Sequence, residues 1–297
     1  GFSRISVNPS LSIIYKLNYA WRFTAHASYK ERYGEMTDLY DRPYQTDYRN
    51  SVWNCGILPV YRQQLYSVYG EYKSTAREFF ATVNLTHNRE WYNRIYEQRI
   101  ENGQVQRVSL PLSNHGSGYT VKSTLSKGFY DLGLKTSLMA LLNISKAEQI
   151  SGGQRLPYQY RLMRLEPKVI WTPNRHWETS YQTDIRYGGN KIGERTRLAP
   201  LWNVTQQVQL SYIFSPIEAS LSVDHYHNDV NEDQSVNAVF ADFSVLWKSR
   251  RLQITATATN LFDKRTYGYT RYASLESYTS WVRIRPREFL VAIRYQL

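Results

Sequence analysis

The chain has 297 residues, with 37 Lys and Arg against 25 Asp and Glu, a formal net charge of +12, and 42% hydrophobic residues. Mean hydropathy is -0.56, and no run approaches the roughly 20 consecutive apolar residues of a spanning helix, which excludes a bundle of membrane helices. Membrane strands are not excluded, because they are apolar only at every second position.

The first strand signal lies in residues 6–17 and is followed by a short turn at 18–20. A two-faced strand comes next: Trp21, Phe23, Ala25, Ala27 and Tyr29 alternate with Arg22, Thr24, His26, Ser28 and Lys30. Residues 34–62 form a long polar and aromatic segment. A hairpin then joins 63–74 to 78–91 through a turn at 75–77. The stretch 92–116 is irregular, and its Asn102-Gly103 pair marks a hairpin that projects beyond the sheet. Strands 119–129 and 132–145 meet at a tight turn near Tyr130-Asp131, and 146–155 reads as a loop. Strands 157–171 and 177–187 turn at 173–175, followed by a loop at 188–195. Strands 202–214 and 218–229 turn at Ser215-Pro216, with a short loop at 231–234. Strands 236–248 and 252–263 turn at 249–251. A loop over 264–281 leads to the last strand, in which Phe289, Val291, Ile293, Tyr295 and Leu297 alternate with Glu288, Leu290, Ala292, Arg294 and Gln296.

These are about thirteen strands, all expected to pair antiparallel with their neighbours. Many exceed the five or six residues usual in soluble sheets and suit tilted transmembrane strands. Short turns alternate with longer loops, as in outer-membrane barrels. With the last strand ending on the periplasmic side, every short turn lies there and every long loop lies outside. The fold expected is an all-β, antiparallel up-and-down transmembrane β-barrel, of which residues 1–297 form the C-terminal portion. The chain opens at Gly1 without a signal peptide and reads as a fragment or a processed piece. In the last strand Phe289, Val291, Ile293 and Tyr295 are expected to face lipid, and Arg294 and Gln296 the lumen.

The 26 Tyr and 8 Trp suit a membrane–water boundary, since both rings have an apolar body and a polar tip. They equally suit a soluble Tyr-rich β-sheet module that binds glycans. The basic residues are scattered among strands and turns, so no nucleic-acid partner is expected; cations that meet outer-membrane lipid or lipopolysaccharide phosphates, or that line a lumen, fit equally. Cys55 is the single cysteine, which excludes an internal disulfide. His225 and His227 lie two apart near Asp224 and Asp229, but without a third ligand they read as rim residues, and no metal is expected. No phosphate loop, dinucleotide motif or catalytic triad stands out, so neither enzymatic activity nor a cofactor is expected. Among the long loops, 35–47 and its flank are the best binding candidate, with Tyr40, Tyr44, Tyr48 and Trp53 offering stacking faces for sugars or flat chelates.

The segments ATATNLFDKRTYGY and RIRPREFLVAIRYQL resemble the C-terminus of TonB-dependent outer-membrane receptors. Asn260, Leu261, Phe262 and Asp263 match the family's NLF-(D/N) signature, and Arg285-Pro286-Arg287 matches the entry to its last strand. Together with Phe289, Tyr295 and Leu297 they form a barrel-closing signature, with Leu297 departing from the usual terminal Phe. The DLYDRPYQTDYRN loop and the Tyr-rich hairpins look like the Bacteroidota branch. The resemblance implies a barrel of roughly 22 strands, active uptake of a nutrient ligand, and coupling to TonB–ExbB–ExbD through an N-terminal box. It also implies a plug; neither plug nor box is visible in these residues. Further implied partners are the barrel assembly machinery and a surface lipoprotein. A passive porin-type channel is the remaining reading.

Overall fold

The computed structural model describes residues 5–48, 50–101, 104–193, 196–197, 200–230, 233–272 and 277–296. Leu297 and the Asn102-Gly103 pair lie outside the described residues, as do parts of the loops at 188–195 and 231–234. The strands in chain order begin with β1 (Ser10–Lys16), β2 (Trp21–Tyr33), β3 (Tyr44–Gln45), β4 (Asn50–Trp53), β5 (Val60–Ser74) and β6 (Phe79–Tyr92). Next are β7 (Ile95–Glu101), β8 (Gln104–Leu110), β9 (Asn114–Phe129), β10 (Leu134–Ser151), β11 (Gln154–Asn174), β12 (Trp177–Ile192) and β13 (Thr196–Arg197). Last come β14 (Leu201–Phe214), β15 (Ile217–Asp229), β16 (Ser235–Lys248), β17 (Leu252–Thr259), β18 (Thr266–Tyr272), β19 (Ser277–Arg283) and β20 (Glu288–Tyr295).

Thirteen of these form one wall, in which each strand pairs antiparallel with the next: β1, β2, β5, β6, β9 to β12, β14 to β17, and β20. Strand β1 forms one edge and β20 the other, and among the described residues each pairs on one side only. The wall is therefore an open up-and-down barrel segment. The short connections share one end. Asn18 Oδ1 accepts from the backbone N–H groups of Ala20 and Trp21, both at 2.9 Å, and Asn174 Oδ1 does the same for His176 and Trp177 at 2.9 and 3.1 Å. Such Asx turns reverse the chain in a few residues.

Alternation places two chemistries on the two faces. Ala25, Val68, Leu85, Val121, Leu142, Met163 and Tyr187 lie side by side in register across seven strands. The same face carries Phe243, Ala258 and Phe289 in one row, and Val245, Ala256 and Val291 in the next. These apolar side chains are largely exposed or half-buried. The opposite face holds Thr82 bonded to Thr124 and Asn143 donating to Thr120 Oγ1 at 2.8 Å. It also carries a bidentate Arg164–Asp184 pair at 2.9 Å, which Arg186 joins at 2.6 Å. Such charges are tolerable on a lumen face and costly against lipid.

Two aromatic rows bound the apolar band. At the short-turn end Trp177 packs on Tyr212 with ring centroids 4.6 Å apart, and at the other end Tyr187 packs on Trp202 at 4.7 Å. Trp177 and Tyr187 are ten residues apart on β12. At about 3.3 Å per residue and about 40° of tilt, the band is about 25 Å tall, the height of a barrel's lipid belt.

The structure corrects several boundaries. Strand β10 runs through Lys146 to Ser151 and β11 starts at Gln154, so the expected loop at 146–155 is only a turn. Gly152 and Gly153 both have positive φ, 57° and 76°, which lets two residues close a hairpin matched to strand twist. The stretch 264–281 contains the β18–β19 hairpin. Pairing is also not wholly antiparallel: β4 runs parallel to β8, and β7 parallel to the tip of β10. Both exceptions belong to segments folded onto the wall's end.

The expected strand 252–263 stops at Thr259, because Asn260 takes φ 50°. Asn260 is 7% exposed. Its Nδ2 donates to the carbonyls of Lys264 and Arg285 at 2.8 and 2.9 Å, and its Oδ1 accepts from Lys264 N at 3.0 Å. Its backbone N–H donates to Asp242 Oδ1 at 2.7 Å. Asp263 Oδ1 accepts from Arg287 N at 3.0 Å. This corner therefore ties β16, β17 and the approach to β20 together, while Phe262 stays exposed. Asn260→Ala loses three side-chain bonds, takes the Nδ2 donor from the Lys264 and Arg285 carbonyls and strains the left-handed backbone. A loss of about 2–4 kcal/mol is expected in urea unfolding of the folded protein in detergent, and an unchanged midpoint would contradict this role.

Candidate functional site

At the long-loop end the chain folds inward over the polar face, and there the packing becomes dense. Ile95 is 0% exposed, and Val108 and Ile150 are also buried. The segment between β2 and β5 starts with a close approach: Gly34 N donates to Pro59 O at 2.9 Å, and a side chain at Gly34 would collide with Asp38 and Pro59. Asp38 closes the short 3-10 turn Met36–Leu39 by accepting from Glu35 N at 2.9 Å through Oδ2. Its other oxygen accepts from Arg94 Nη1 at 2.9 Å.

Arg94, at the root of the β7–β8 hairpin, is 5% exposed. Its Nη2 donates to the Tyr61 hydroxyl at 2.8 Å, and its guanidinium lies 5.0 Å from the Tyr96 ring centroid. Arg107, from β8, lies 3.7 Å from the same centroid. Burial opposes the Arg94 charge, but the bonds to Asp38 and Tyr61 outweigh it and hold the guanidinium pKa above its ordinary value. Glu97 staples the hairpin to the β10–β11 turn: it accepts from Arg99 Nη2 at 2.7 Å and from Gly153 N at 3.1 Å.

Between the hairpin, the wall and the 44–53 segment lies a cavity of about 840 Å³. Asn88, Glu90, Tyr92, Arg94, Tyr96 and Arg107 line it, with Thr46, Asp47 and Asn50 from the loop. Burial, and next the hydrogen bond to Glu90, push the Tyr92 phenol up. Burial also raises Tyr96, against the pull of Arg94 and Arg107. Both phenols are therefore neutral at physiological pH and offer ring faces and O–H groups. Arg94 Nε and Asn114 Oδ1 are buried without a hydrogen-bond partner among the described residues, and both residues line the cavity. The cavity thus combines cations, carboxylates, aromatic faces and open hydrogen-bonding positions, a set suited to holding a polar organic ligand.

The four aromatic residues expected to bind ligand lie on the exposed side of the same loop. Tyr40 and Tyr44 meet edge to face at 6.1 Å, Trp53 Nε1 donates to Asp41 O at 2.8 Å, and Tyr48 is 76% exposed. None of the four lines the cavity, which takes the residues between and beside them. Arg94, Tyr96 and Arg107 were not singled out by sequence. The available signal was the alternation of Arg94 and Tyr96 with Ile95 and Glu97 beside a turn pair. His227 bonds Asn237 Oδ1 at 2.9 Å and Asp229 Oδ1 at 3.3 Å.

No protein-family model matches the sequence, and no curated protein matches it. Solved structures do match in fold. The siderophore receptor PiuA from Acinetobacter baumannii aligns over 89% of this chain and 48% of its own, with a TM-score of 0.51 at 6% identity. The FrpB iron transporter from Neisseria meningitidis aligns over 91% of this chain and 44% of its own, with a TM-score of 0.52 at 8% identity. The ferric yersiniabactin uptake receptor FyuA from Yersinia pestis aligns over 98% and 50%, with a TM-score of 0.50 at 9% identity. The chain thus has the barrel-wall fold of these receptors and spans half of their length or less.

Arg94→Met keeps much of the stem but leaves Asp38 and Tyr61 without their shared partner. Local opening of β7–β8 should become easier by about 2–3 kcal/mol, read as faster amide hydrogen exchange there while the wall strands keep wild-type protection. Arg94→Lys should fall between, because the charge stays and the fork is lost. Unchanged exchange in both variants would contradict a pinning role.

Proposed function

We propose that this chain is part of the barrel of a TonB-dependent receptor in the bacterial outer membrane, supplying wall and extracellular loops for active uptake of a nutrient ligand. The observation that carries the reading is a single-layered wall with a continuous exposed apolar band on one face and paired charges on the other. A soluble sheet buries its apolar face against a second layer, and among the described residues none covers this one. That disfavours the soluble glycan-binding module. The receptor fold of the structural neighbours and the NLF-type corner at Asn260 support the receptor reading over other barrels. The two edges, unpaired among the described residues, call for further strands to close the barrel, and coupling to TonB–ExbB–ExbD would run through a plug and box outside residues 1–297. Barrel assembly machinery and a surface lipoprotein remain partners by resemblance, and the Bacteroidota assignment rests on the 38–50 loop and the Tyr-rich hairpins.

The ligand-binding position in this reading is the cavity under the β7–β8 hairpin, and the exposed rings of Tyr40, Tyr44, Tyr48 and Trp53 form an outer contact. Cells carrying the full-length protein would be given radiolabelled ferric siderophores, cobalamin and oligosaccharides in turn. Accumulation of at least one is expected, abolished by a protonophore and by deletion of the gene. Tyr96→Ala with Arg107→Ala should weaken its binding at least about tenfold, the effect of one lost cation–ring contact and one charge-assisted bond. Protonophore-insensitive flux with ohmic conductance would instead identify a passive porin-type channel.

A further inference from the structure

The outer face of the wall changes character above the upper aromatic row. Tyr66, His87 and Tyr119 lie in register on β5, β6 and β9. Their rings stack face to face, His87 on Tyr119 at 4.2 Å and Tyr66 on His87 at 6.4 Å. Across β10 and β11 the same row continues as Ile144 and Arg161. Two residues farther out, about 7 Å along the strands, the next row reads Gln64, Arg89, Ser117, Lys146, Gln159 and Lys191. Three cations stand in that row, and Arg161 stands just below it.

Part of this row is recessed. A depression of about 300 Å³ is lined by His115, Ser117, Lys146, Gln159 and Lys191. Lys146 and Lys191 are both register partners of Gln159, on β10 and β12, so their backbones stand two strand spacings, about 10 Å, apart. Among the described residues the one carboxylate lining the depression, Glu148, is held by Arg155 at 3.2 Å. The depression therefore presents two ammonium groups, a hydroxyl and a side-chain amide. Below it the outer face turns apolar, with Ile144, Leu142, Val121 and Met163 in adjoining register positions.

We infer that this depression holds the phosphate of an anionic outer-leaflet lipid, its acyl chains lying on the apolar face below. Three physical features meet on this part of the outer face: amphipathic rings suited to the headgroup level, cations that pair with phosphate, and an apolar face continuing downward for the chains. Lys stems also reach along apolar surface while the ammonium stays at the headgroups. A water-soluble anion would use the charges but has no use for the apolar rows beneath them. This inference rests on the membrane-barrel reading and goes beyond it by assigning a lipid to a place on the wall.

The test compares the full-length protein with its Lys146→Glu/Lys191→Glu and Lys146→Gln/Lys191→Gln variants. Each would be purified in detergent and offered lipid A with both phosphates, dephosphorylated lipid A, and inorganic pyrophosphate, with retention read by native mass spectrometry. Heat-modifiable migration on SDS gels reports folding of each variant. The expected result is at least tenfold preference of the wild type for phosphorylated over dephosphorylated lipid A, and no pyrophosphate retained. The neutral variant should lose most of that preference and the acidic variant all of it, with folding unchanged. Equal retention of the two lipids by the wild type, or a preference surviving in the acidic variant, overturns the lipid site while the barrel stands. Retention of pyrophosphate as strong as that of phosphorylated lipid A overturns it in favour of a free-anion site. A wild-type protein that is soluble without detergent overturns both the site and the barrel reading.

Discussion

The constraint on which the rest of the structure depends is that, among the described residues, this sheet has no second layer. Each interior strand satisfies its backbone groups through two antiparallel neighbours, so backbone hydrogen bonding is complete without water in the middle of the wall. The side chains then sort by parity alone. Rows such as Val68–Leu85–Val121–Leu142 face outward without cover, which is stable where the surrounding medium is itself apolar. The Arg164–Asp184–Arg186 cluster satisfies its charges within the opposite face, where a lumen supplies the remaining solvation. The aromatic rows at Trp177–Tyr212 and Tyr187–Trp202 mark where each environment gives way to water.

Past the upper row, the physics changes from lipid solvation to ordinary burial. Ile95, Val108 and Ile150 are buried there; Ile95 and Val108 come from the β7–β8 hairpin, which meets the tip of β10, the strand that carries Ile150, through a parallel pairing. Arg94 is the joint of this region. It links the 34–59 segment through Asp38, the wall through Tyr61, and its own hairpin through Tyr96. A side chain so placed fixes the shape of the cavity and contributes a cation to it. The β18–β19 hairpin shows the same arrangement on the other half of the wall, where Asn228 Nδ2 donates to the Tyr267 hydroxyl at 2.8 Å and the Tyr226 and Tyr267 rings meet at 5.3 Å.

The wall was legible in the sequence because period-two alternation is a local property. Trp21 to Tyr29 and Trp202 to Tyr212 announce their faces without reference to any neighbour, and turns such as Asn18–Ala20 carry their own side-chain bonds. The corner at Asn260 was legible as a motif, but its physical content, a left-handed residue bonding two distant carbonyls, needed the structure. The cavity beneath the β7–β8 hairpin was not legible. Arg94 meets Asp38 across 56 positions, and the pairing of β8 with β4 obeys no local period. The loop aromatics drew attention as stacking surfaces, yet the loop turns Tyr48 outward and sends Asp47 and Asn50 toward the cavity. Strand length was underestimated at Lys146 to Ser151, because alternation there is carried by polar residues that continue the strand above the lipid belt.

The two faces of the wall meet two different media if the wall spans a membrane. The most direct measurement places a nitroxide label at Val121 or at Lys122, neighbours on β9, in the full-length protein reconstituted in bilayers. Relaxation by oxygen and by a water-soluble nickel chelate is then compared. The label at Val121 should be relaxed strongly by oxygen and weakly by nickel, and the label at Lys122 should show the reverse. Equal accessibility of the two positions to nickel would contradict a membrane-spanning wall with an apolar outer face.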